Sequence, residues 1–207
     1  MKILPLITLL LALVITACSR GPDPALRAHD TKYSGIGDPP YNCVLDGQTG
    51  LIWEVKSDAP GLHDWRNTYT WFDPDESNQE LDYRGTEDGG QCAGSACDIW
   101  HYVEFVNKAG HCGHFDWRVP FRDELFSISD LRRLENPPTT NMNYFPHMQA
   151  AEYWSVNDYS FQWNAAWVWS FQFGHDRVDW KASPKYVRLV RGEAVELPKV
   201  KDSPMDP

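Results

Sequence analysis

The first seventeen residues constrain this chain more than any other segment, because they set the redox environment in which the rest of it folds. Lys2 is followed by a largely apolar run over residues 3–15, and the small residues Thr16 and Ala17 close the segment. A basic start, a short apolar stretch and small residues at its end are typical of an export signal, and the run is too short to span a bilayer permanently. Residues 1–17 are therefore predicted to be a signal peptide.

Cys18 directly follows Ile15, Thr16 and Ala17. This order resembles the lipobox of bacterial lipoproteins, in which the thiol is acylated, with palmitate among the chains, and the cysteine becomes the first residue of the mature protein. An ordinary secretory signal followed by a chance cysteine is the alternative. Several acyl chains on one residue anchor a protein firmly to a membrane. Because Ser19 is not the Asp that retains many Gram-negative lipoproteins in the inner membrane, the expected location is the outer membrane of the cell envelope.

Export also changes how the remaining cysteines are interpreted. They are Cys43, Cys92, Cys97 and Cys112. An even number in an oxidising compartment favours two disulfide bonds, for which three pairings exist. We favour Cys92–Cys97, which closes a small glycine-containing loop. The second bridge is then Cys43–Cys112, which ties the start of the domain to its middle. A zinc site that also uses His111 and His114 is the alternative, but the cysteine spacing is not that of a zinc finger.

The charge of the mature chain excludes one class of partner. Loss of Lys2 with the signal reduces the 19 Lys and Arg residues to 18, against 29 Asp and Glu, which gives a net charge near −11. Such a surface repels nucleic acid, so none is expected as a partner, and membrane contact is expected through the lipid alone. The chain also contains 10 tryptophans. In the absence of an obvious catalytic motif, this aromatic excess is the best indication of a ligand.

The chain is predicted to contain one folded domain between two polar segments. Residues 18–40 are rich in Gly, Pro, Asp and Arg without apolar periodicity, and they are interpreted as the lipidated cysteine with a flexible tether. The domain is placed at residues 41–192. The polar, proline-containing tail 193–207 is predicted to be disordered.

Within the domain, two helices come early and most strands come late, which indicates an α+β fold with a mainly antiparallel sheet. Residues 41–56 are predicted to form a hairpin, and residues 57–97 a long loop. A helix is expected over residues 98–109, with Asp98 as its N-cap and Gly110 as its stop, and a second short helix after Pro120. The later strands are predicted at residues 153–155, 165–173 and 186–190.

Eight phrases in this order resemble the Lcl C-terminal domain family, a bacterial group of formerly unknown function named for the end domain of a collagen-like adhesin. They are DGQTGLIWEVK, HDWRNTYTWFDPD, CAGSACD, AGHCGHFDWRVPFRDEL, NYFP, EYWSV, AAWVWSFQFG and YVRLVRG. The resemblance covers residues 41–192. It implies an extracytoplasmic domain with a C-type lectin-like core and, for the namesake adhesin, attachment to sulfated polysaccharide. This chain has no collagen-like repeat, so the avidity of that adhesin does not carry over. The net charge near −11 argues against a sulfated ligand.

The aromatic residues of the C-terminal half suggest both a core and a ligand surface. One strand face carries Trp167, Trp169, Phe171 and Phe173 at a period of two and is expected to be core. The preceding loop combines flat rings, which stack on sugar C–H surfaces, with amides, which bond sugar hydroxyls. The candidate ligand residues in this loop are Asn157, Tyr159, Gln162, Trp163 and Asn164. Local packing of the same residues is the alternative.

Calcium is the one metal cofactor that the composition suggests, because it takes many oxygen ligands. The acidic run consists of Asp73, Asp75, Glu76, Glu80, Asp82, Glu87 and Asp88. It lacks the order of an EF-hand loop, and a solvated acidic loop is the favoured interpretation.

No catalytic residue is predicted. The seven histidines are scattered, and no serine lies in a Gly-x-Ser-x-Gly turn. The predicted function is therefore a lipid-anchored binding module of the envelope that recognises glycan or another surface ligand. The alternative is a structural lipoprotein that interacts with an envelope protein, and an enzyme is the least favoured reading.

Overall fold

The computed structural model describes residues 32–74 and 84–194. Within them, the strands are β1 (Tyr33–Ile36), β2 (Cys43–Asp46), β3 (Ile52–Glu54), β4 (Glu152–Asp158), β5 (Ala165–Ser170), β6 (His175–Trp180) and β7 (Val190–Arg191). The helices are α1 (Ile99–Ala109) and α2 (Arg122–Ser127), with a 3-10 turn at Leu131–Arg133. The α+β class, the two short helices and the antiparallel pairing are confirmed. The predicted signal peptide 1–17, Cys18 and the tail beyond residue 194 lie outside the described residues. Within those residues, no helix is long and apolar enough to cross a membrane.

The first sheet has the strand order β1-β2-β3-β7, and all of its neighbours are antiparallel. The predicted hairpin is confirmed as β2 and β3, joined by a turn in which the N–H of Gly50 donates to the carbonyl of Asp46 at 2.8 Å. Leu51 follows this turn and is buried. The hairpin therefore carries apolar side chains into the core directly from a short local turn.

Strand β1 corrects the prediction of a flexible tether, which is wrong for residues 33–36. Ile36 pairs with Cys43 of β2, and the ring of Tyr33 packs edge-on against Phe145 at 5.2 Å between centroids. Only 3% of Tyr33 is exposed. The prediction failed because a four-residue strand that contains a glycine and is followed directly by Gly-Asp-Pro-Pro has no periodicity to detect. Its place is decided by a partner strand and a distant ring.

Both predicted helices are confirmed, and local sequence explains where each begins. The Asp98 carboxylate accepts the N–H of His101 at 2.9 Å, which caps α1, and Gly110 ends the helix with a φ of 72°. At α2, the Glu124 carboxylate accepts the N–H of Phe121 at 2.8 Å. The same carboxylate binds both terminal nitrogens of Arg118, at 2.7 and 2.6 Å, so that arginine fixes the entry to the helix.

The second sheet has the order β4-β5-β6. Strand β5 is central, and both of its faces are buried: Trp169 on one side and Ala166 and Val168 on the other. The prediction that the face of Trp167, Trp169 and Phe171 is core holds for Trp169 and Phe171, whereas Trp167 is only half-buried. It is wrong for Phe173, which is 58% exposed because the chain leaves the strand at residue 170 and turns back.

Strand β6 was not predicted. Its sequence, His175-Asp176-Arg177-Val178-Asp179-Trp180, is mostly polar and has one valine and one tryptophan. The strand forms the edge of its sheet. An edge strand exposes one side and part of its face to water, so its sequence lacks the apolar alternation that reveals a strand.

The predicted last strand, residues 186–190, is mostly an extended connection between the two sheets. Tyr186 forms a parallel bridge with Tyr153 on β4, and only β7 pairs with β3 as a regular strand. Val187, Leu189 and Val190 are buried along this connection. The segment therefore ties the two sheets to one core.

The two favoured disulfides are confirmed. Cys43 on β2 is bonded to Cys112 in the turn after α1, and Cys92 is bonded to Cys97. The group Cys43, His111 and Cys112 is the one set of three potential metal ligands within the described residues. Because its two sulfurs are bonded to each other, no thiolate remains there for the zinc site that was the alternative.

Candidate functional site

An open cavity of about 310 Å³ lies where β6 ends beside the β4–β5 loop. We call it the Trp163–Trp180 cavity. Its lining comes from three separate segments and consists of Gly85, Thr86, Trp163, Asn164, Trp180, Lys181 and Ala182. No single stretch of sequence therefore contains the site.

A chain of backbone hydrogen bonds holds the three segments together. The N–H of Lys181 donates to the carbonyl of Asn164 at 2.8 Å, and the N–H of Trp71 donates to the carbonyl of Lys181 at 2.9 Å. The N–H of Thr86 then donates to the carbonyl of Trp71 at 3.0 Å. Since backbone bonds fix these positions, the cavity is formed by the fold before any ligand is present.

Two exposed indole rings line this cavity. Trp163 is 43% exposed and Trp180 is 51% exposed, although large aromatic side chains usually lie in the core. Both indoles therefore present apolar ring surface to water beside the cavity. Two such faces at one cavity are suited to a ligand that is itself partly flat and apolar.

The polar groups of the cavity are an amide, a hydroxyl and a buried amine. Lys181 is 1% exposed, and its Nζ lies 3.0 Å from the Asp158 carboxylate and 4.2 Å from the centre of the Trp71 ring. Burial lowers the pKa of Lys181, while Asp158 opposes that shift. Asn164 carries a buried side-chain oxygen that accepts no hydrogen bond from the described residues.

Gly85 cannot be replaced without moving the wall. A Cβ built at this position would lie 2.1 Å from the Trp71 carbonyl oxygen, and its φ of +85° is one that other residues rarely adopt. The backbone itself therefore forms this part of the cavity.

A second polar cluster lies inside the domain, around the carboxylate of Glu54. This carboxylate is fully buried and lies 2.9 Å from Lys56 Nζ and 2.7 Å from His63 Nδ1. It also accepts the N–H of Leu189 at 2.9 Å and the hydroxyl of Tyr102. Burial alone would raise the pKa of Glu54, but Lys56 and His63 outweigh it and hold that pKa well below its usual range.

The family of this chain follows from a comparison over the whole of this architecture. The model of the Lcl C-terminal domain matches residues 42–191. The chain belongs to the Lcl C-terminal domain family. The match includes both disulfides, the Glu54 cluster and the whole lining of the Trp163–Trp180 cavity, and it begins after β1. Neither the search of curated proteins nor the search of solved structures found a match.

Two of the five candidate ligand residues line the cavity of this Lcl C-terminal domain, namely Trp163 and Asn164. Asn157 instead accepts the N–H of Arg122 at 2.8 Å, so its amide is used at the start of α2. The Tyr159 ring packs edge-on against Trp167 at 5.5 Å. The backbone of Gln162 closes the loop: its N–H donates to the Tyr159 carbonyl at 3.1 Å, and its carbonyl accepts the N–H of Ala165 at 3.0 Å.

The other five of the seven lining residues were not predicted from the sequence. Trp180 and Lys181 end the edge strand β6, and Gly85 and Thr86 come from the long acidic loop. The available signal was the count of 10 tryptophans in the chain, which indicated a ligand surface without locating it. Trp180 follows Asp179 in a charged stretch, where a buried indole is not expected.

The acidic run considered for calcium is only partly described. Asp75, Glu76, Glu80 and Asp82 lie outside the described residues. Asp88 accepts the N–H of Cys97 at 2.7 Å and donates its own N–H to Asp98 at 3.0 Å, so it organises the Cys92–Cys97 loop. The solvated acidic loop stays the prediction for this run, with calcium binding as its alternative.

His111 is expected to make the stability of the domain depend on pH. Its ring stacks on His63 at 4.0 Å between centroids, and burial, together with His63, lowers the pKa of His111 from 6.5 to about 4. The unfolded chain therefore takes up a proton in this interval that the folded chain excludes. The free energy of unfolding should be highest above pH 6.5 and should lose about 3 kcal/mol through this residue by about pH 4.

Urea denaturation of the wild type and of His111→Gln at about pH 7 and about pH 4.5 measures this effect. The variant should lose less stability on acidification than the wild type. His175→Gln, which changes an exposed histidine on β6, is the control. It should lose as much stability on acidification as the wild type. Equal losses in all three proteins would rule out His111 as the source.

Proposed function

We propose that this protein is a lipid-anchored binding module of the cell envelope and that the Trp163–Trp180 cavity binds glycan. The envelope and the anchor are supported by the signal-like residues 1–17 and by Cys18. One observation carries the ligand: two exposed indoles line one open cavity that also holds an amide and a hydroxyl. Family membership supports an extracytoplasmic role and leaves the ligand open.

Sugars match this combination of groups. One face of a pyranose ring presents C–H bonds that pack against an indole, while its rim presents hydroxyls. Asn164 and Thr86 supply polar side chains at the edge of the cavity, as small-molecule sites usually do with a few placed groups among apolar walls. The rings and the polar groups lie together because the backbone bonds of Trp71 and Lys181 bring their segments together.

The proposal is one of binding without catalysis. Glu54 is the carboxylate whose pKa is displaced most clearly, but it is buried and bonded by Lys56, His63, Tyr102 and Leu189. A group held in this way has no free lone pair directed at a substrate. The described lining of the cavity contains neither a carboxylate nor a histidine to act as a general acid or base.

Removing either indole is expected to weaken saccharide binding by about tenfold or more, because a central aromatic contact often carries much of the binding energy. The measurement is a glycan array probed with the full-length chain in a polyoxyethylene detergent, which has no sugar headgroup. Trp163→Ala and Trp180→Ala are compared with the wild type. Phe105→Ala is the matched control, since Phe105 on α1 is also 43% exposed and lies outside the cavity lining.

The pattern across the variants decides between the proposed ligand and its alternative. Loss in both tryptophan variants with full binding by Phe105→Ala is the expected result. Binding that survives in both tryptophan variants would place the glycan site elsewhere. An array without any bound saccharide would contradict the glycan proposal and favour an envelope protein as the partner, with the tryptophans as contact anchors.

A further inference from the structure

We infer that the Trp163–Trp180 cavity takes a neutral saccharide and binds it without calcium; this inference rests on the proposed function of the cavity. It follows from the charged groups that the fold places at this cavity. Charge decides ligand class more sharply than shape does, because an unpaired charge in a partly buried site is costly.

The one cation in the described lining is already neutralised. Lys181 forms an ion pair with Asp158 at 3.0 Å and lies over the Trp71 ring at 4.2 Å. Its side chain is 1% exposed, so its amine faces these partners and not the solvent. A sulfate or carboxylate of a ligand would have to compete with Asp158 for this amine.

Competition with Asp158 is unfavourable on two grounds. Separating the pair takes from Lys181, whose side chain is 1% exposed, the counter-ion that compensates its burial, while the carboxylate of Asp158 is 24% exposed. In addition, acidic residues outnumber basic ones by 29 to 19 in the chain, so its field repels an approaching anion. An uncharged ligand meets neither obstacle.

The described lining also offers no carboxylate with which to hold calcium. Its side chains are two indoles, an amide, a hydroxyl, the paired amine and a methyl group, along with Gly85. Calcium requires six to eight oxygen ligands, usually with several carboxylates among them. Asp158 and Asp179 are carboxylates that contact the lining; Asp158 is engaged by Lys181, and Asp179 by Arg177, Lys185 and the N–H of Trp180. In this proposal, sugar hydroxyls are bound directly by the Thr86 hydroxyl and the amide nitrogen of Asn164, whose oxygen is buried, and not through a metal ion.

The test is a solution titration of the full-length chain in polyoxyethylene detergent, followed by tryptophan fluorescence. Neutral probes are the hexasaccharides of chitin, cellulose and mannan, and the sulfated probe is a heparin hexasaccharide. Each titration is run in EDTA and in excess calcium, and at low and at high salt. Trp163→Ala and Phe105→Ala are titrated in parallel.

At least one neutral probe is expected to bind with a Kd that changes less than about twofold between EDTA and calcium and between the two salt concentrations. The heparin probe should bind at least about tenfold more weakly. Trp163→Ala should lose the neutral probe, and Phe105→Ala should keep it.

The other outcomes contradict the inference, the proposed site or the proposed function. Calcium-dependent binding, or tighter binding of heparin that weakens with salt, overturns the inference while sensitivity to Trp163→Ala keeps the cavity as the glycan site. Binding of a neutral probe that is unchanged in Trp163→Ala overturns the proposed site. The absence of binding by every probe overturns both the inference and the proposed function.

Discussion

Glu54→Gln is expected to lower the free energy of unfolding by about 3–5 kcal/mol, the usual cost of removing one partner from a buried ion pair. The carboxylate is fully buried and lies 2.9 Å from Lys56 Nζ, whose side chain is 5% exposed. The glutamine keeps the shape of the side chain but leaves the ammonium group of Lys56 buried without a counter-charge. The loss is measured by urea denaturation followed by tryptophan fluorescence.

Two further variants separate the ion pair from a general effect of losing a carboxylate. Asp116→Asn removes an exposed carboxylate that pairs with Arg191, and it should cost less than about 1 kcal/mol because water already screens that pair. Glu54→Gln combined with Lys56→Met removes both charges and should recover much of the stability. If the double variant is as unstable as Glu54→Gln, the damage does not come from the unpaired amine.

The Glu54 cluster also shows where sequence reasoning stops. Glu54 and Lys56 end a hairpin strand, and in a sequence such residues look like the solvent face of a small sheet. Glu54 is covered by residues that are distant in sequence. Arg188 lies 134 residues further along the chain, and its Nη1 donates to the Glu54 carbonyl at 2.6 Å. Tyr102 approaches the carboxylate from α1. Neither neighbour has a local signal.

Features with local causes were predicted well. Helix α1 begins after Asp98 and ends before Gly110, because the Asp98 side chain caps its first turn and the glycine adopts a positive φ. The hairpin of β2 and β3 likewise forms around a short turn, which is closed by the hydrogen bond from the N–H of Gly50 to the carbonyl of Asp46. Both were visible in the sequence because each depends on residues that lie a few positions apart.

The candidate site was predicted only in part for the opposite reason. Trp163 and Asn164 were singled out because rings and amides occur together in one loop. Their cavity is completed by Trp180, which ends an edge strand of charged residues, and by Gly85, where a turn packs on the Trp71 carbonyl. The pairing of β5 with β6 brings these segments together, and Ala165 opposes Trp180 in that register. Because β6 was not predicted, the position of Trp180 at its end could not be predicted either.

The Cys43–Cys112 disulfide is expected to contribute more stability than Cys92–Cys97, because it closes a far longer loop. The sequence separations are 69 and 5 residues. In the chain-entropy relation, these loops correspond to about 4 kcal/mol and roughly 2 kcal/mol, respectively. The long bridge also joins β2, at the centre of the first sheet, to the turn that follows α1.

The comparison uses two double variants, Cys43→Ala with Cys112→Ala and Cys92→Ala with Cys97→Ala, each unfolded in urea beside the oxidised wild type. The first should lose about 2 kcal/mol more than the second. Both replace a pair of cysteines by alanines, so they differ in the loop that is opened. Equal losses would show that local packing, not loop closure, sets the contribution of these bridges. A larger loss in the second variant would locate the main constraint in the loop that leads into α1 and, through Thr86 and Gly85, supplies one wall of the Trp163–Trp180 cavity.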